Sequence, residues 1–424
     1  MSSAAVKLSY RSTLVACSIA NFVLATVINL TPILFIPLRQ QYGLSFAQLG
    51  FLIFVNFITQ VTFDLAFSRA ADRYGFRPFV KTAHVLIVIG FVLFATLPRI
   101  MPNPYSGLLI ATIVFSGGGG LLELLISPIV DAVPNTVKST TMAFLHSFYA
   151  WGSVVVILVT TFLIYFFSAS VWPYIVLFWA LVPAVNFFLF LKVPIAPQRP
   201  VEHLMRIRDL IRQPLYLLAI VAIMFGAASE LTMNQWTSAY MEVAMNLPKV
   251  VGDTIGMSLF AVMMGVGRML YGFFGAKINV SRVMILGSLL AAVCYLVVAI
   301  TPYPALGLAA CAICGLAVSL LWPGTLVVAA RRFPLAGASL FAILAAGGDV
   351  GASLGPWALG LVTEKAPGWT FLSGFLESGN MTTAQLGLRT GMFIGIAFPL
   401  VSLVTHLYLK RSHKMPKPVE PSEK

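Results

Sequence analysis

Charged residues are scarce in this chain: Asp, Glu, Lys and Arg make up 10% of its 424 residues. A soluble domain carries about a quarter charged residues because its surface faces water. The shortage therefore excludes an ordinary soluble domain and leaves 59% hydrophobic residues to be explained. Apolar runs of about 20 residues, enough to cross a hydrocarbon core of ~30 Å as a helix, recur along the whole chain.

Cysteines and catalytic motifs are also rare or missing. The only close cysteine pair, Cys311 and Cys314, has no second pair or histidine cluster to complete a metal or redox site. The chain has no His-Glu-x-x-His sequence, no phosphate-binding loop and no Ser/His/Asp set in a supporting context. We therefore predict no metal, no cofactor and no enzymatic activity. Rings of like charge, typical of channels, are absent from the apolar runs.

Twelve of the apolar runs are long enough to cross a membrane, which predicts an all-α integral membrane protein with 12 transmembrane helices. We place these spans at about 14–38, 46–68, 82–98, 107–130, 139–167, 171–191, 214–241, 254–276, 283–301, 304–330, 337–363 and 390–409. The first run, from Thr13 to Leu38, is too long for a signal peptide and has no cleavage site after it.

Basic residues, 27 against 14 acidic ones, are unevenly distributed over the loops. With the N-terminus inside, all but six fall on cytoplasmic segments, as the positive-inside rule requires. The exceptions are Arg39, Arg99, Lys249, Lys365 and Arg389 on outer loops and Arg268 within a span. We predict a multi-pass protein of a cell membrane, plasma or inner, with both termini cytoplasmic.

A proline-rich, basic stretch divides the spans six and six. We predict an N-terminal six-helix bundle at 1–192, a cytoplasmic linker at 193–213, and a C-terminal six-helix bundle at 214–424 that ends in a short basic tail. Transporters built from two pseudo-symmetric bundles have this layout and hold their substrate between the bundles.

Polar residues within the spans fall on single helix faces. A charge at the bilayer centre costs ~2.5–3.5 kcal/mol, so each one requires an explanation. The shared faces are Ser116, Gly120, Glu123 and Ser127; Gly226, Glu230, Asn234 and Thr237; His146, Tyr149 and Ser153; Asn21, Ala25 and Asn29; and Asn56, Gln60 and Asp64. Five polar stripes in an apolar wall predict a water-filled central cavity.

The side chains of these stripes suit a polyol or sugar, because carboxylates and amides pair with hydroxyl groups and aromatic rings stack on sugar faces. The predicted substrate-binding residues are Asn29, Gln60, Glu123, His146, Tyr149, Glu230, Asn234, Gln235, Trp236 and Trp322. The alternatives are that the polar groups only join helices to one another and that the tryptophans are interfacial anchors.

Buried carboxyl groups can also bind and release protons as a cavity alternates between the two sides of a membrane. Glu123, Glu230 and Asp349 are the predicted proton-coupling residues, with His146 a possible partner. A carboxyl group that stays protonated and only donates a hydrogen bond is the alternative for Glu123. Asp349 has the alternative of pairing with Arg268.

The turn after the second span reads SRAADRYGFR at 68–77. It resembles the signature of the major facilitator superfamily, although Ser68 stands where that family usually has Gly. The resemblance implies a gating contact made by Asp72, Arg73, Gly75 and Arg77. The basic residues alternatively serve only as topology anchors. The corresponding turn after the eighth span has Ala276 in place of the acidic residue.

Further segments resemble the fucose permease branch of that superfamily, whose members are proton symporters for fucose, galactose or glucose. They are GGGGLLELLISP at 117–128, LHSFYAWG at 145–152, Gly267 with Arg268, Trp322 with Pro323, and Gly347 with Gly348. The branch also has a buried Asp in its first span, where Pro32 stands here. A mechanism that uses that carboxylate does not carry over.

The resemblance implies a secondary active transporter that moves a small polar solute of the monosaccharide class by proton-coupled symport and works as a monomer. Its expected partners are the solute, protons and the lipid bilayer, and no nucleic acid. Two alternatives stay open: a proton-coupled exporter of amphipathic or lipophilic compounds, and a non-transporting sensor. The amide-rich stripes disfavour the first, and the lack of any long polar loop disfavours the second.

Overall fold

Twelve membrane-length helices make up the computed structural model, which describes residues 9–134, 138–196, 207–274, 278–333, 336–372, 374 and 381–411. Within these ranges, the side chains of 69, 72, 138–144, 146, 207 and 337–339 lie outside the description. The spans, numbered 1 to 12 in chain order, are Tyr10–Ile33, Phe46–Ser68, Phe76–Ile100, Pro104–Asp131, Ser147–Phe167, Ala169–Lys192, Pro214–Val243, Lys249–Phe274, Val280–Ile300, Pro304–Arg332, Leu340–Gly368 and Thr383–Arg411. The predicted fold class is thereby confirmed.

Helix ends follow local sequence signals. Pro104, Pro214 and Pro304 stand in the first turn of spans 4, 7 and 10, where the missing proline N–H costs nothing. Ser45 and Gln48 form a capping box that begins span 2. The span 2 helix runs on to Tyr74, and short helices occupy Phe35–Tyr42 and Ile207–Ile211.

Three spans, 1, 10 and 12, are broken where a proline removes a backbone donor. Span 12 breaks at Ile396, between helices Thr383–Gly395 and Ala397–Arg411, and Pro399 has no N–H to give to the carbonyl of Gly395. Span 1 ends at Ile33 rather than continuing to Leu38 as predicted, and a short helix starts at Phe35. Pro37 has no N–H to give to the carbonyl of Ile33, four residues earlier, so the helix resets there. Span 10 is similarly interrupted between Val318 and Leu321. That break was not predicted from the sequence.

Glycines bring neighbouring spans into backbone contact. Spans 2 and 4 pack so closely that a Cβ on Gly120 would collide with the backbone of Gln60, and one on Gly117 would lie 2.7 Å from the ring of Phe63. Spans 7 and 11 meet in the same way, at Gly351 against Met224. Small residues at helix interfaces are what allows membrane helices to approach so closely.

The first six and last six spans meet along three helix pairs: span 1 with 7, span 2 with 11, and span 5 with 8. We call the end at which span 1 begins and span 12 ends the terminal face, and the other end the opposite face. Near the opposite face, Gly50 of span 2 lies against Pro356 and Gly360 of span 11. The predicted boundaries 193–213 of the linker stay a prediction, because 197–206 lie outside the described residues.

Candidate functional site

An ion pair between Glu230 and Arg268 lies in the interior of the second half. Arg268 Nη2 is 3.1 Å from Glu230 Oε1 and 3.4 Å from Oε2. The carboxylate side chain is 8% exposed and the guanidinium side chain 26% exposed. Removing one partner of a buried pair leaves an uncompensated charge, so each residue holds the other in place. Arg268 therefore pairs with Glu230, not with Asp349.

Arg268 also donates a hydrogen bond to the backbone at the break in span 10. Its Nε donates to the carbonyl oxygen of Ser319 at 3.2 Å. Pro323 stands four residues after Ser319 and has no N–H, so the helix itself leaves this carbonyl without a donor. The guanidinium thus joins spans 7, 8 and 10 at one point. The sequence contains the Gly267–Arg268 and Trp322–Pro323 pairs, but only the folded structure brings them together.

Asn29 of span 1 is the centre of a second polar network, and it crosses between the halves. Its Nδ2 donates to Ser153 Oγ at 3.0 Å and to the carbonyl of Ala25 at 2.9 Å. Its Oδ1 accepts from Asn234 Nδ2 of span 7 at 3.2 Å. Asn234 Oδ1 is buried without a partner among the described residues. Both asparagines are predicted substrate residues, and the structure brings them into contact.

Tyr149 lies between the two networks. Its hydroxyl interacts with the side chain of Asn29, and the charged groups near it are Glu230, Arg268 and Glu123. The predicted residues Asn29, Glu123, Tyr149, Glu230 and Asn234 thus surround a common region at the middle of the molecule. Three spans of the first half, 1, 4 and 5, and two of the second, 7 and 8, supply polar groups to it.

Glu123 has no counter-ion, in contrast to Glu230. Within the described part of the chain it makes no hydrogen bond or ion pair, and Asp64 of span 2 is the charged group that acts on it most. Asp349 of span 11 lies near both Glu123 and Asp64. Asp64 is 9% exposed, and its Oδ1 is buried without a described partner. Asp64 belonged to a predicted stripe but not to the predicted site.

Span 2 uses its other polar residues to bind neighbouring helices. Asn56 donates to the carbonyl of Val27 at 3.1 Å, and its Oδ1 accepts from Ser116 Oγ and Gln60 Nε2, both at 2.8 Å. Gln60 is 1% exposed. The bond made by Gln60 Nε2 stays within span 2, and Gln60 Oε1 has no partner among the described residues, so the role of Gln60 as a substrate residue stays a prediction.

The remaining predicted residues are distributed unevenly. Trp236 is fully enclosed, donates to the carbonyl of Pro356 at 3.0 Å, and contacts Phe35 and Phe46 near the opposite face. Trp322 is half-buried, with its ring directly against Gly348 beside Asp349. Gln235 is fully buried, and neither end of its amide has a partner among the described residues. Its role as a substrate residue stays a prediction.

The predicted gating motif lies at the terminal face. Arg77 donates to the carbonyls of Phe190, Leu191 and Val193, which closes the C-terminal end of span 6. Arg73 is exposed and lies over the ring of Tyr74, and Gly75 has a φ of 80°. The side chains of Asp72 and of His146 lie outside the described residues, so the roles of both stay predictions.

The chain matches a known protein family over most of its length and shares its fold with solved structures. The family description of the Major Facilitator Superfamily matches residues 17–255 and 252–424. A bacterial homologue of the human lysosomal transporter Spinster, solved in an inward-facing and occupied conformation, has a TM-score of 0.78 at 15% identity, over 97% of this chain and 99% of that one.

Two further solved structures share the fold. A D-xylose-proton symporter matches with a TM-score of 0.75 at 15% identity over 95% of this chain and 97% of that one. The nucleoside transporter NupG matches with a TM-score of 0.76 at 14% identity over 95% of this chain and all of that one, a coverage of 100%. No curated protein sequence matches the chain.

Proposed function

Because the chain belongs to the major facilitator superfamily, we propose that it is a secondary active transporter that moves a small polar solute by alternating access. The observation that carries the proposal is the convergence of polar groups from both halves at the middle of twelve apolar spans. Glu123, Tyr149 and Asn29 come from the first half, and Glu230 and Asn234 from the second. A solute bound there contacts both halves, so its binding can favour one arrangement of them over the other.

The proposed coupling ion is the proton, and Glu123 is its first binding site. Glu230 is paired with Arg268 in this conformation, so it is the second candidate for the proton. Glu123 has no described counter-ion, and its acidic neighbours Asp64 and Asp349 favour a neutral, protonated carboxyl group in the cluster. A proton crossing ~100 mV supplies about 2.3 kcal/mol, enough for roughly fifty-fold accumulation of a neutral solute.

The proposed solute is a monosaccharide. The polar groups that reach the central region are two amides, a phenol and two carboxyl groups, and the half-buried ring of Trp322 lies against Gly348. This combination offers donors and acceptors for hydroxyl groups and an apolar face for a sugar ring. The resemblance to the fucose permease branch favours the same class, whereas the solved structures above establish the fold alone.

The charge distribution orients the protein in this proposal. The terminal face carries Arg73, Arg77, Lys410 and Arg411 among the described residues and becomes the cytoplasmic face by the positive-inside rule. The opposite face, where spans 2 and 11 pack tightly, is then the outer face. The chain divides at 193–213 into the two units that move against each other.

Uptake into liposomes that hold the purified protein tests this proposal. We expect one sugar from a panel of labelled hexoses, pentoses and deoxyhexoses to accumulate only under an inward proton gradient. Glu123→Gln should abolish gradient-driven accumulation, because the amide cannot take up the proton. The matched control is Asp209→Asn, an exposed carboxylate far from the central region, which should transport normally.

Three outcomes would contradict parts of the proposal. Sugar uptake that does not depend on the proton gradient would contradict proton coupling. Gradient-driven accumulation by the Glu123→Gln variant would show that Glu123 is not the proton site. Movement of lipophilic cations against the gradient, with no sugar accumulated, would replace the symporter with an exporter.

A further inference from the structure

The contact between spans 5 and 8 near the opposite face is built around a buried carboxylate. Asp253, in the second half, is 0% exposed. Its Oδ2 accepts a hydrogen bond from Thr161 Oγ1 of the first half at 2.7 Å. Thr161 is itself only 1% exposed, so this bond is shielded from water. A hydrogen bond to a charged group is about twice as strong as one between neutral groups.

Asp253 keeps other partners within its own half. Lys249 Nζ lies 3.0 Å from Asp253 Oδ2 and also donates to Ser238 Oγ at 2.9 Å. A π-helical segment, Gly252–Met257, holds Asp253 one turn after Lys249. The other charged group near this pair is Glu242 of span 7. If Thr161 withdrew, the carboxylate would keep its ammonium partner, so separation of the halves costs one hydrogen bond and leaves no unpaired charge.

The contact between spans 2 and 11 uses the same arrangement. The backbone N–H of Phe46, in the first turn of span 2, donates to Glu364 Oε2 of span 11 at 3.2 Å. The first N–H groups of a helix have no partner within it and attract a negative charge. In this second contact the acceptor again belongs to the second half and the donor to the first. Glu364 is exposed, so water competes with the bond.

We infer that Asp253 and Glu364 form a two-point clamp that holds the opposite face closed. When the halves separate, Asp253 releases Thr161 and Glu364 releases the N-terminus of span 2. This inference rests on the alternating access proposed above, but not on any particular solute or coupling ion. The two points differ in strength. The buried Thr161–Asp253 bond is the stronger one, because exposed ionic contacts contribute little.

The clamp can be tested by measuring the distance across the opposite face directly. Ser170, at the start of span 6, and Tyr303, between spans 9 and 10, are exposed positions, one in each half. Spin labels on Ser170→Cys and Tyr303→Cys report the separation of the halves by pulsed electron paramagnetic resonance. The four native cysteines are buried and take up little label. The measurement uses the full chain in lipid nanodiscs and needs no substrate.

Thr161→Val removes the hydroxyl and keeps the shape of the side chain. We expect it to raise the ratio of open to closed distances about tenfold or more, which is the usual effect of losing a hydrogen bond to a charged group. Thr161→Ser keeps the hydroxyl and should leave the distances as in the unaltered protein. Glu364→Gln should shift the ratio by less than about threefold.

An unchanged distance distribution in Thr161→Val would overturn the clamp, as would an equal shift in Thr161→Ser. Failure of the transport proposal looks different. A protein that moves no sugar or proton but still opens on Thr161→Val keeps the clamp and loses the function. The opposite result, coupled transport with no change of distance in Thr161→Val, keeps the function and loses the clamp.

Discussion

Glu230 of the second half and Glu123 of the first, the two glutamates of the central region, have different surroundings. In the second half, Glu230 is neutralised by Arg268, which is itself fixed to the carbonyl of Ser319. In the first half, Glu123 has no counter-ion among the described residues, and its nearest charged neighbour is another acid, Asp64. The two glutamates look alike in sequence, but Glu230 has a charged partner and Glu123 has none among the described residues. The predicted roles of both in proton coupling and substrate binding stay predictions.

Arg268→Met gives the largest expected effect. It would leave Glu230 buried without its partner and the Ser319 carbonyl without a donor, which we expect to cost about 3–5 kcal/mol of stability. The measurement is the apparent Tm of the purified protein in detergent. Adding Glu230→Gln should recover part of the loss, because the stranded charge is then gone. A Tm unchanged by Arg268→Met would mean that the pair contributes nothing and that the contrast between the halves is wrong.

Gly120→Ala tests the packing that places Asp64 beside Glu123. The added methyl group would collide with the backbone of Gln60 and push spans 2 and 4 apart, at a cost of about 1–3 kcal/mol. Gly265→Ala is the matched control, since its Cβ would lie 3.6 Å from that of Ala150, an ordinary contact. Apparent Tm values of the two variants should therefore differ. Equal values would show that spans 2 and 4 can separate without strain.

Glu230→Gln and Glu123→Gln give the smallest and most direct contrast. The first breaks an ion pair, and we expect a loss of about 1–3 kcal/mol. The second exchanges an unpaired carboxyl group for a neutral amide, so stability should change by less than about 1 kcal/mol or rise. Thermal unfolding of both variants under identical conditions decides the matter. The contrast fails if Glu123→Gln is the more damaging of the two.

Span number and position could be predicted because they depend on local composition. A run of apolar residues must lie in lipid or protein wherever it occurs, so nine of the twelve predicted runs needed changes only at their ends. Spans 1, 10 and 12 were broken. Prolines at 37 and 323 are visible in the sequence. Whether a proline bends a helix or breaks it depends on which donor binds the carbonyl oxygen that the proline leaves free.

The candidate site could be predicted as a set of residues but not as a set of contacts. Helical periodicity identified the faces that carry Asn29, Glu123, Tyr149, Glu230 and Asn234. It could not show that Arg268 reaches Glu230, because the two residues lie on different spans. It placed Asp64 on a polar face but not beside Glu123, because that approach depends on the glycine contact between spans 2 and 4. The same limit applies to Trp236, which packs between the halves near the opposite face.

By itself, the sequence determined that the chain enters a membrane, how often it crosses, and which side chains are buried at a cost. These properties follow from the free energy of moving single segments from water into lipid, which each segment carries alone. The tertiary structure decided which carboxylate is paired, which carbonyl accepts a hydrogen bond from Arg268, and which groups donate to Asp253 and Glu364. Those contacts depend on interaction energies between helices that are distant in the chain, and they form only once the helices have packed.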